Sequence, residues 1–569
     1  MRLSRLIAQT ISVCVAMTLG LCAVRSTVAE VARAAKGMVA TVHPLATGAG
    51  VAALEQGGNA VDAAVAAALT LGVVDGYNSG IGGGCLILLR SPDGQLLAVD
   101  GRETAPARAH RDMFLQDGTA QTEWSQTGPL AVATPGALAA YDEVIRRHGR
   151  LALRDLLLPA ARVAEEGFPI SAGYEKSLKE SAAKLAKYPG SREVLLKGDG
   201  EPYVAGDLLR QPDLARTYRA VAEQGIAWFY GGPFARTVGA WMSENGGFLT
   251  AEDFANYRPI QREPIRSQYR GHTIVGFPPP SSGGTHVAQI LNMLEHFDLR
   301  QLHQRDPAQF AHVVAEAMKL AFADRAHWLG DADFVAVPRG LVDPDYAAAL
   351  ARRINPDRPS TVPRHGQPPR ADSDLFRRHT THIAAADAAG YWVAITATVN
   401  TTFGSKVIVP GTGVVLNNEM DDFSIQPGVP NAFGLVGAEA NAVAPGKRPL
   451  SSMSPTIVLR DGRPVMTVGA AGGPTIITQV VLAIVNHIDL QLPLDTAIAA
   501  PRFHHQWSPD RIAIEQSMPA DLREKLAARG HELRILERIG VTQAIGVSED
   551  GRLLVGVHDP RVQGQAAGR

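Results

Sequence analysis

The sequence predicts an α+β protein in which antiparallel hairpins are set among long helical stretches. Turn signals at Pro92-Asp93-Gly94, Ala388-Ala389-Gly390 and Asp461-Gly462 each separate two β-prone apolar runs. Capped or alanine-rich apolar segments near the amino end, through the middle and after Gly473 carry helical character. No internal repeat is visible.

Residues 1–29 form a unit of their own. Arg2 and Arg5 precede an apolar run over 6–24, and Thr27-Val28-Ala29 supplies the small residues of a cleavage site. That order describes a signal peptide, and so an exported protein, periplasmic or secreted. The alternative, a membrane anchor, fits poorly because the run is short and broken by polar residues. Leu21 before Cys22 is too large for a lipid-attachment site, and no later segment is long and apolar enough to span a bilayer. Cys14 and Cys22 leave with the signal, so Cys85 has no disulfide partner within the chain. In the run Cys85-Leu86-Ile87-Leu88-Leu89 it reads as a small buried hydrophobe rather than a nucleophile.

The 569 residues are 46% apolar and 20% charged, enough for a large core, with a net charge of −1. Near-neutrality favours neither nucleic acid nor an anionic membrane surface, and the scattered positive charge excludes nucleic-acid binding.

Two helices open the mature part. The first spans 46–56 and ends at Gly57-Gly58; the second is capped by Asn59 with Asp62 at its third position and runs to Leu71. Gly80-Ile81-Gly82-Gly83-Gly84 precedes a strand rather than opening a helix, the wrong order for a dinucleotide site, so close backbone packing explains it better. Strands at 85–90 and 96–100 flank the first turn. Residues 150–353 read as mostly helical, and 355–379, rich in Pro, Arg and Asp, as an exposed, poorly ordered tether.

Strands return at Thr380. A three-residue loop ending in a left-handed Gly390 pairs Asp387 with Tyr391, which sets Thr380 opposite Thr398 on one face. From the residues alone, two structural threonines on a strand remain an alternative. The hairpin at Asp461-Gly462 pairs 456–460 with 463–469 and brings Ser451-Ser452 alongside Ala471-Gly472-Gly473. Pro474 suits a first helical position, and 475–488 is apolar and helical. The amides of Gly472 and Gly473 then lie at a helix N-terminus, suited to an oxyanion or serving as a simple glycine cap. In Asn417-Asn418-Glu419-Met420-Asp421-Asp422-Phe423, three carboxylates in four residues bind a cation or form a solvated turn. Residues 427–449, with four prolines and four glycines, read as a lid.

These motifs together resemble the γ-glutamyltransferase family. Thr380-Thr381-His382, Asn400-Thr401-Thr402-Phe403-Gly404, the Asn417–Phe423 run, Pro449-Leu450-Ser451-Ser452-Met453-Ser454-Pro455 and Gly472-Gly473 resemble its small subunit in order and spacing. Gly57-Gly58-Asn59-Ala60-Val61-Asp62-Ala63-Ala64, Arg102-Glu103-Thr104-Ala105-Pro106, Pro278-Pro279-Pro280-Ser281-Ser282-Gly283-Gly284 and Ala323-Asp324-Arg325 resemble its large subunit. The likeness runs from about Gly37 to beyond Trp507.

The resemblance implies a four-layer αββα sandwich of the N-terminal nucleophile hydrolase type. It implies a precursor that cuts itself between His379 and Thr380 into a large subunit, 30–379, and a small subunit, 380–569, which stay together as a heterodimer. Cleavage matters because a threonine hydroxyl is a poor nucleophile without a base, and a free α-amine, with a pKa of about 7.7–8.0, can be that base. By resemblance Thr380 attacks the γ-carbonyl of a donor such as glutathione, Thr398 orients it, and Gly472 and Gly473 hold the oxyanion. Arg102, Ser451 and Ser452 match the binders of the donor's α-carboxylate, and Asn400, Glu419 and Asp422 those of its α-ammonium. Water, an amino acid or a short peptide then accepts the acyl group. Phe433 departs from the tyrosine of many bacterial relatives and lacks the hydroxyl that would bond Asn400, which implies a looser gate.

A β-lactam side-chain acylase and a poly-γ-glutamate processing enzyme are neighbouring readings; Asp422 argues against the first, whose substrates lack an ammonium. An exported peptide-binding protein that never matures is the reading from another class. No metal or cofactor is expected: His504-His505 and His379/His382 lack the further ligands of a zinc site, and the former pair packs beside Phe503 and Trp507.

Overall fold

The segment Trp392–Thr398 is buried along its whole length, and Gly84–Arg90 along all but its last residue. Strands without a solvated face lie inside a stack of layers. The computed structural model, which describes residues 31–369 and 382–569, has that stack. The proposed signal segment and His379, Thr380 and Thr381 lie outside the described residues.

Fourteen strands build two seven-stranded antiparallel sheets: β1 (Val31–Ala34), β2 (Gly37–Thr41), β3 (Gly84–Arg90), β4 (Leu96–Gly101), β5 (Ile260–Arg262), β6 (Ile265–Tyr269), β7 (His272–Gly276), β8 (Ile383–Asp387), β9 (Trp392–Thr398), β10 (Thr456–Arg460), β11 (Arg463–Ala471), β12 (Val541–Val547), β13 (Leu554–Val557) and β14 (Gln565–Gly568). One sheet runs β1-β13-β12-β11-β10-β7-β6, the other β14-β2-β8-β9-β3-β4-β5. Leu86 and Leu88 point from β3 into a core shared with Val275, Ile457, Leu459 and Ile545 of the other sheet. Their neighbours Cys85, Ile87 and Leu89 face the opposite way, against helices α1 (Pro44–Glu55), α2 (Ala60–Val74) and α3 (Ala137–His148). Helices α4 (Gly283–Leu294), α5 (Pro307–Trp328) and α6 (Thr475–Ile488) cover Ile274, Val458, Met466 and Val468 on the far side. Three apolar cores therefore separate four layers, αββα.

Local chemistry sets the elements that matter for the site. Asn59 and Asp62 form a reciprocal capping box at the start of α2, a device that contributes about 1 kcal/mol. The β8–β9 hairpin pairs Ile383 with Ile395 and Ala386 with Trp392, with Gly390 at φ 104°, which is the register the sequence predicts. In the β10–β11 hairpin Asp461 and Gly462 both take positive φ (51° and 74°), and a bulge between Val458 and Leu459 shifts the pairing by one residue.

Some expectations need correction. Residues 260–276 are not helical: β5, β6 and β7 lie there, and Ile265, Ser267 and Tyr269 are buried while Arg266 and Gln268 are exposed. That period of two lies in a neighbourhood whose sequence is otherwise helical. Ser451-Ser452 is paired not with β11 but with Ser281-Ser282, through Ser282 N–H to Ser451 O (2.8 Å) and Ser451 N–H to Pro280 O (2.8 Å). Residues 355–369 have no helix or strand, yet they are docked: Trp507 Nε1 donates to Val362 O (2.7 Å) and Gly366 N to Asp324 Oδ1 (2.6 Å). Among the described residues, no helix is long and apolar enough to cross a membrane.

Candidate active site

Where the two sheets open at the ends of β9 and β11, a cavity of about 480 Å³ is lined by Thr398, Asn400, Glu419, Asp422, Phe433, Ser451, Ser452, Gly472 and Gly473. Residues spread over 76 positions of sequence thus converge on one space, and all nine are ones the sequence singled out. Arg102 stands behind them, fully buried. Thr380 lies outside the described residues.

Thr398 ends β9, opposite Gly84 of β3. The chain before β3 passes so near that a Cβ on Gly83 would come within 1.8 Å of Thr398 O, which explains the glycine run. Thr398 Oγ1 accepts from Asn400 N (2.7 Å), and Asn400 itself takes φ 75°. Asn418 locks the turn that follows: its backbone oxygen accepts from Asn400 Nδ2 (3.0 Å) and its Oδ1 from Thr401 N (3.0 Å). Asn417 fixes the next step, donating to Gly82 O and Ala133 O and accepting from Glu419 N (3.0 Å). The two asparagines therefore place Glu419 and Asp422, which sit on a short 3-10 helix, Glu419–Asp422.

This carboxylate group is no solvated turn, because Glu419 and Asp421 are buried. Asp421 accepts from Ser125 Oγ (2.7 Å), and burial raises its pKa to about 6. Glu419 and Asp422 both pair with Arg102, Asp422 at 2.5 Å, while Glu103 lies 3.8 Å from the same guanidinium. The resemblance assigns Arg102 and these two acids to opposite ends of a donor; here the guanidinium pairs with both acids. Three carboxylates, two of them buried, crowd one guanidinium, so desolvation, reinforced by mutual repulsion, raises Glu419 well above the carboxylate range and Glu103 to about 7. Arg102 stays charged, held there by the acids around it.

A second buried cation was legible only as part of a motif. Arg325, on α5, donates from Nε to Ser282 Oγ and from Nη2 to Ser452 Oγ, both at 2.9 Å. Burial lowers its pKa only to about 10, so it keeps its charge at neutral pH. Ser282 Oγ in turn donates to Ser451 O (2.6 Å). With its lone pair engaged by the guanidinium, the Ser452 hydroxyl is left as a hydrogen-bond donor toward an anion.

Gly472 (φ 134°) and Gly473 (φ 59°) join β11 to α6. Their neighbours' carbonyls are turned away and held: Thr475 Oγ1 donates to Gly472 O (2.8 Å) and Gln479 Nε2 to Ala471 O (3.0 Å). No described backbone carbonyl accepts from either amide. The Phe433 ring covers this corner, so closely that a Cβ on Gly473 would stand 2.6 Å from Cδ1.

His382 does not belong to this chemistry: burial pulls its pKa to about 3 and keeps it neutral. His504 and His505 have structural bonds, to Thr478 Oγ1 (3.0 Å) and Asp510 Oδ1 (3.1 Å). His312, Glu316 and His531 cluster elsewhere, but His312 Nδ1 and His531 Nε2 hydrogen-bond each other at 2.6 Å and Lys319 lies 3.9 Å from Glu316. Cys85 is buried, with its Sγ facing Ala137 O.

The family model described as Gamma-glutamyltranspeptidase matches residues 46–569. The glutathione hydrolase proenzyme of Escherichia coli (strain K12) is 43% identical over 93% of this chain and 91% of its own length. A cephalosporin acylase from Bacillus halodurans superposes with a TM-score of 0.84 at 30% identity, covering 95% of this chain and 97% of that one. The gamma-glutamyltranspeptidase of Helicobacter pylori gives 0.55 at 39% identity, over 56% of this chain and 92% of that one. With the αββα layers and a cavity that gathers the motif residues, these likenesses place the chain in the gamma-glutamyltranspeptidase family.

Proposed function

We propose that this chain is an exported precursor that cleaves itself between His379 and Thr380 and then transfers γ-glutamyl groups from glutathione and related donors to water or to amino acids and short peptides. The large subunit, 30–379, and the small subunit, 380–569, remain together, since β8 and β9 of one are sandwiched between β2 and β3 of the other. The described β8–β9 register, Ile383 with Ile395 and Ala386 with Trp392, supports the reading in which Thr398 orients the nucleophile.

The Thr380 hydroxyl gives its proton to its own α-amine as its oxygen attacks the γ-carbonyl carbon. The oxyanion is received by the Gly472 and Gly473 amides, a contribution of about 3–4 kcal/mol for such a donor. Collapse breaks the C–N bond, the leaving amine takes the proton, and an acyl-enzyme on Thr380 remains. Water or an acceptor amine then reverses these steps. Arg102, Ser451 and Ser452 hold the donor's α-carboxylate; Asn400, Glu419 and Asp422 hold its α-ammonium.

The observation that carries this reading is the meeting, in one cavity, of both signs of buried charge with two glycine amides at a helix N-terminus. N-terminal sequencing of the purified protein, together with release of nitroaniline from γ-glutamyl-p-nitroanilide, tests it. A second terminus beginning Thr380-Thr381-His382 is expected, and Thr380→Ala should abolish both cleavage and turnover. An uncut but active chain would end the proposal. The likeness to a cephalosporin acylase favours acyl donors without an α-ammonium as a second reading; the buried acids at 419 and 422 disfavour it, and such a donor should turn over far more slowly than the nitroanilide.

A further inference from the structure

The cavity holds two cations that the γ-glutamyl group does not use. Lys184 and Lys406 both line it, along with Gln126, Thr127 and Thr401. Lys406 is nearly buried, and its Nζ donates to Gly404 O (2.7 Å) and Thr401 Oγ1 (3.2 Å). An ammonium has three donors, so one is left over. No described carboxylate lies within ion-pairing distance of it; Glu123 and Asp421 act on it only from further off, and burial together with Lys184 brings its pKa down to about 8. Lys184 is tied on its outer side to Glu123 (2.9 Å) and also reaches Thr127 Oγ1 (3.4 Å).

A buried ammonium lacking a counterion is costly unless an anion arrives. Arg102 and Arg325 are already engaged around Ser451, Ser452, Glu419 and Asp422. Any second carboxylate on a substrate therefore has Lys406 and Lys184 to meet. Thr401, which bonds Lys406, follows Thr398 by three residues, so the ammonium lies beside the turn that leaves the proposed reaction centre. A dipeptide extends about 7 Å from its amine to its carboxylate, a reach that fits a cavity of about 480 Å³.

We propose that Lys406, assisted by Lys184, binds the terminal carboxylate of the peptide on the far side of the scissile bond. This rests on the γ-glutamyl transfer reading above. It makes the site selective for donors whose leaving group is a short peptide with a free carboxyl end. By microscopic reversibility, peptide acceptors are held in the same place, since their amine retraces the path of the leaving amine. The acceptor side of the cavity thus has its own charge recognition, separate from the zwitterion site for the γ-glutamyl part.

The test compares glutathione with glutathione whose glycine carboxylate is amidated, by kcat/KM for glutamate release from the mature enzyme. The wild type should favour the free acid by about tenfold or more, the contribution of one charge-assisted hydrogen bond. Lys406→Met should bring that ratio close to one through KM, and Lys406→Arg should keep most of it. A wild-type enzyme indifferent to amidation overturns the proposal, and does so even if the Lys406 variants fail to mature. So does a Lys406→Met enzyme that keeps the preference. Failure of the wild type on both donors and on γ-glutamyl-p-nitroanilide would instead refute the transfer reading itself.

Discussion

Replacing Gly473 by alanine perturbs the proposed oxyanion site in a way the structure makes quantitative. The residue sits at φ 59°, where an alanine costs about 1–2 kcal/mol. The added Cβ would stand 2.6 Å from Phe433 Cδ1 and 2.9 Å from Cε1, whereas carbon atoms rest at about 3.5–4.0 Å. Either the ring withdraws by about 1 Å or the backbone of 472–474 turns, and Phe433 is held by its own bonds, N–H to Asn431 Oδ1 (3.0 Å) and its carbonyl from Gln506 Nε2 (3.4 Å). The peptide carrying the amide therefore moves. If that amide serves the oxyanion, Gly473→Ala should lower kcat about 10²-fold, with a smaller effect on KM. The assay is nitroaniline release from γ-glutamyl-p-nitroanilide, normalised to the matured fraction on a denaturing gel. Adding Phe433→Ala removes the clash but not the φ penalty, so the double variant should recover part of the loss. Full maturation with kcat within about threefold of wild type would refute the assignment of this amide.

Two other expectations follow from the same geometry. Phe433→Tyr should lower donor KM severalfold if the added hydroxyl bonds Asn400, as the family resemblance implies; unchanged affinity and turnover would dismiss the looser gate. Asp75, buried at the C-terminal cap of α2, is raised to about 7 by desolvation and, as an anion there, opposes the helix dipole. Its folded pKa exceeds the unfolded value of 3.8, so its contribution is full below about pH 4 and lost as the pH rises through about 7. Asp75→Asn should thus be worth about 2–4 kcal/mol more at pH 8 than at pH 5, read as a growing difference in Tm between variant and wild type. A difference independent of pH would show that the carboxyl is not buried as an acid.

What the sequence displayed was what local chemistry determines. The β8–β9 register follows from a three-residue loop closed by Gly390, and the Asn59–Asp62 cap from residues three apart. The edge strand β6 carried a readable alternation but was hidden by the helical sequence on either side. Other features had no local signal. Arg102 meets Glu419 across 317 residues, and Arg325 meets Ser452 across 127. No spacing rule links such partners; only the stacking of the two sheets and α5 brings them together. The family motifs marked Arg325 and Ser281-Ser282, yet the guanidinium-to-hydroxyl contact that gives them a task is a property of packing. Lys406 had only its place after Gly404-Ser405 to recommend it.

Internal pairing explains how so much charge can be buried beside this cavity. Arg102, Glu419 and Asp422 are the groups proposed to hold a zwitterion, and they pair with one another. An isolated buried guanidinium or carboxylate would cost several kcal/mol. Held as an ion pair, each is stable until a ligand bearing both a carboxylate and an ammonium arrives. Such a ligand can then exchange partners: its carboxylate takes over Arg102 while its ammonium takes over the two acids, and no charge is left bare at the end. A donor with only one of the two groups cannot complete the exchange. A lone carboxylate leaves Asp422 unpaired, and a lone ammonium leaves Arg102 unpaired. On the proposed assignment, selectivity for a free α-amino acid end arises from the internal pairing itself, more strongly than from the count of contacts the ligand makes. The same reasoning sets Lys406 apart, since it is buried with no described carboxylate at ion-pairing distance, and in the proposal the far end of the substrate supplies one.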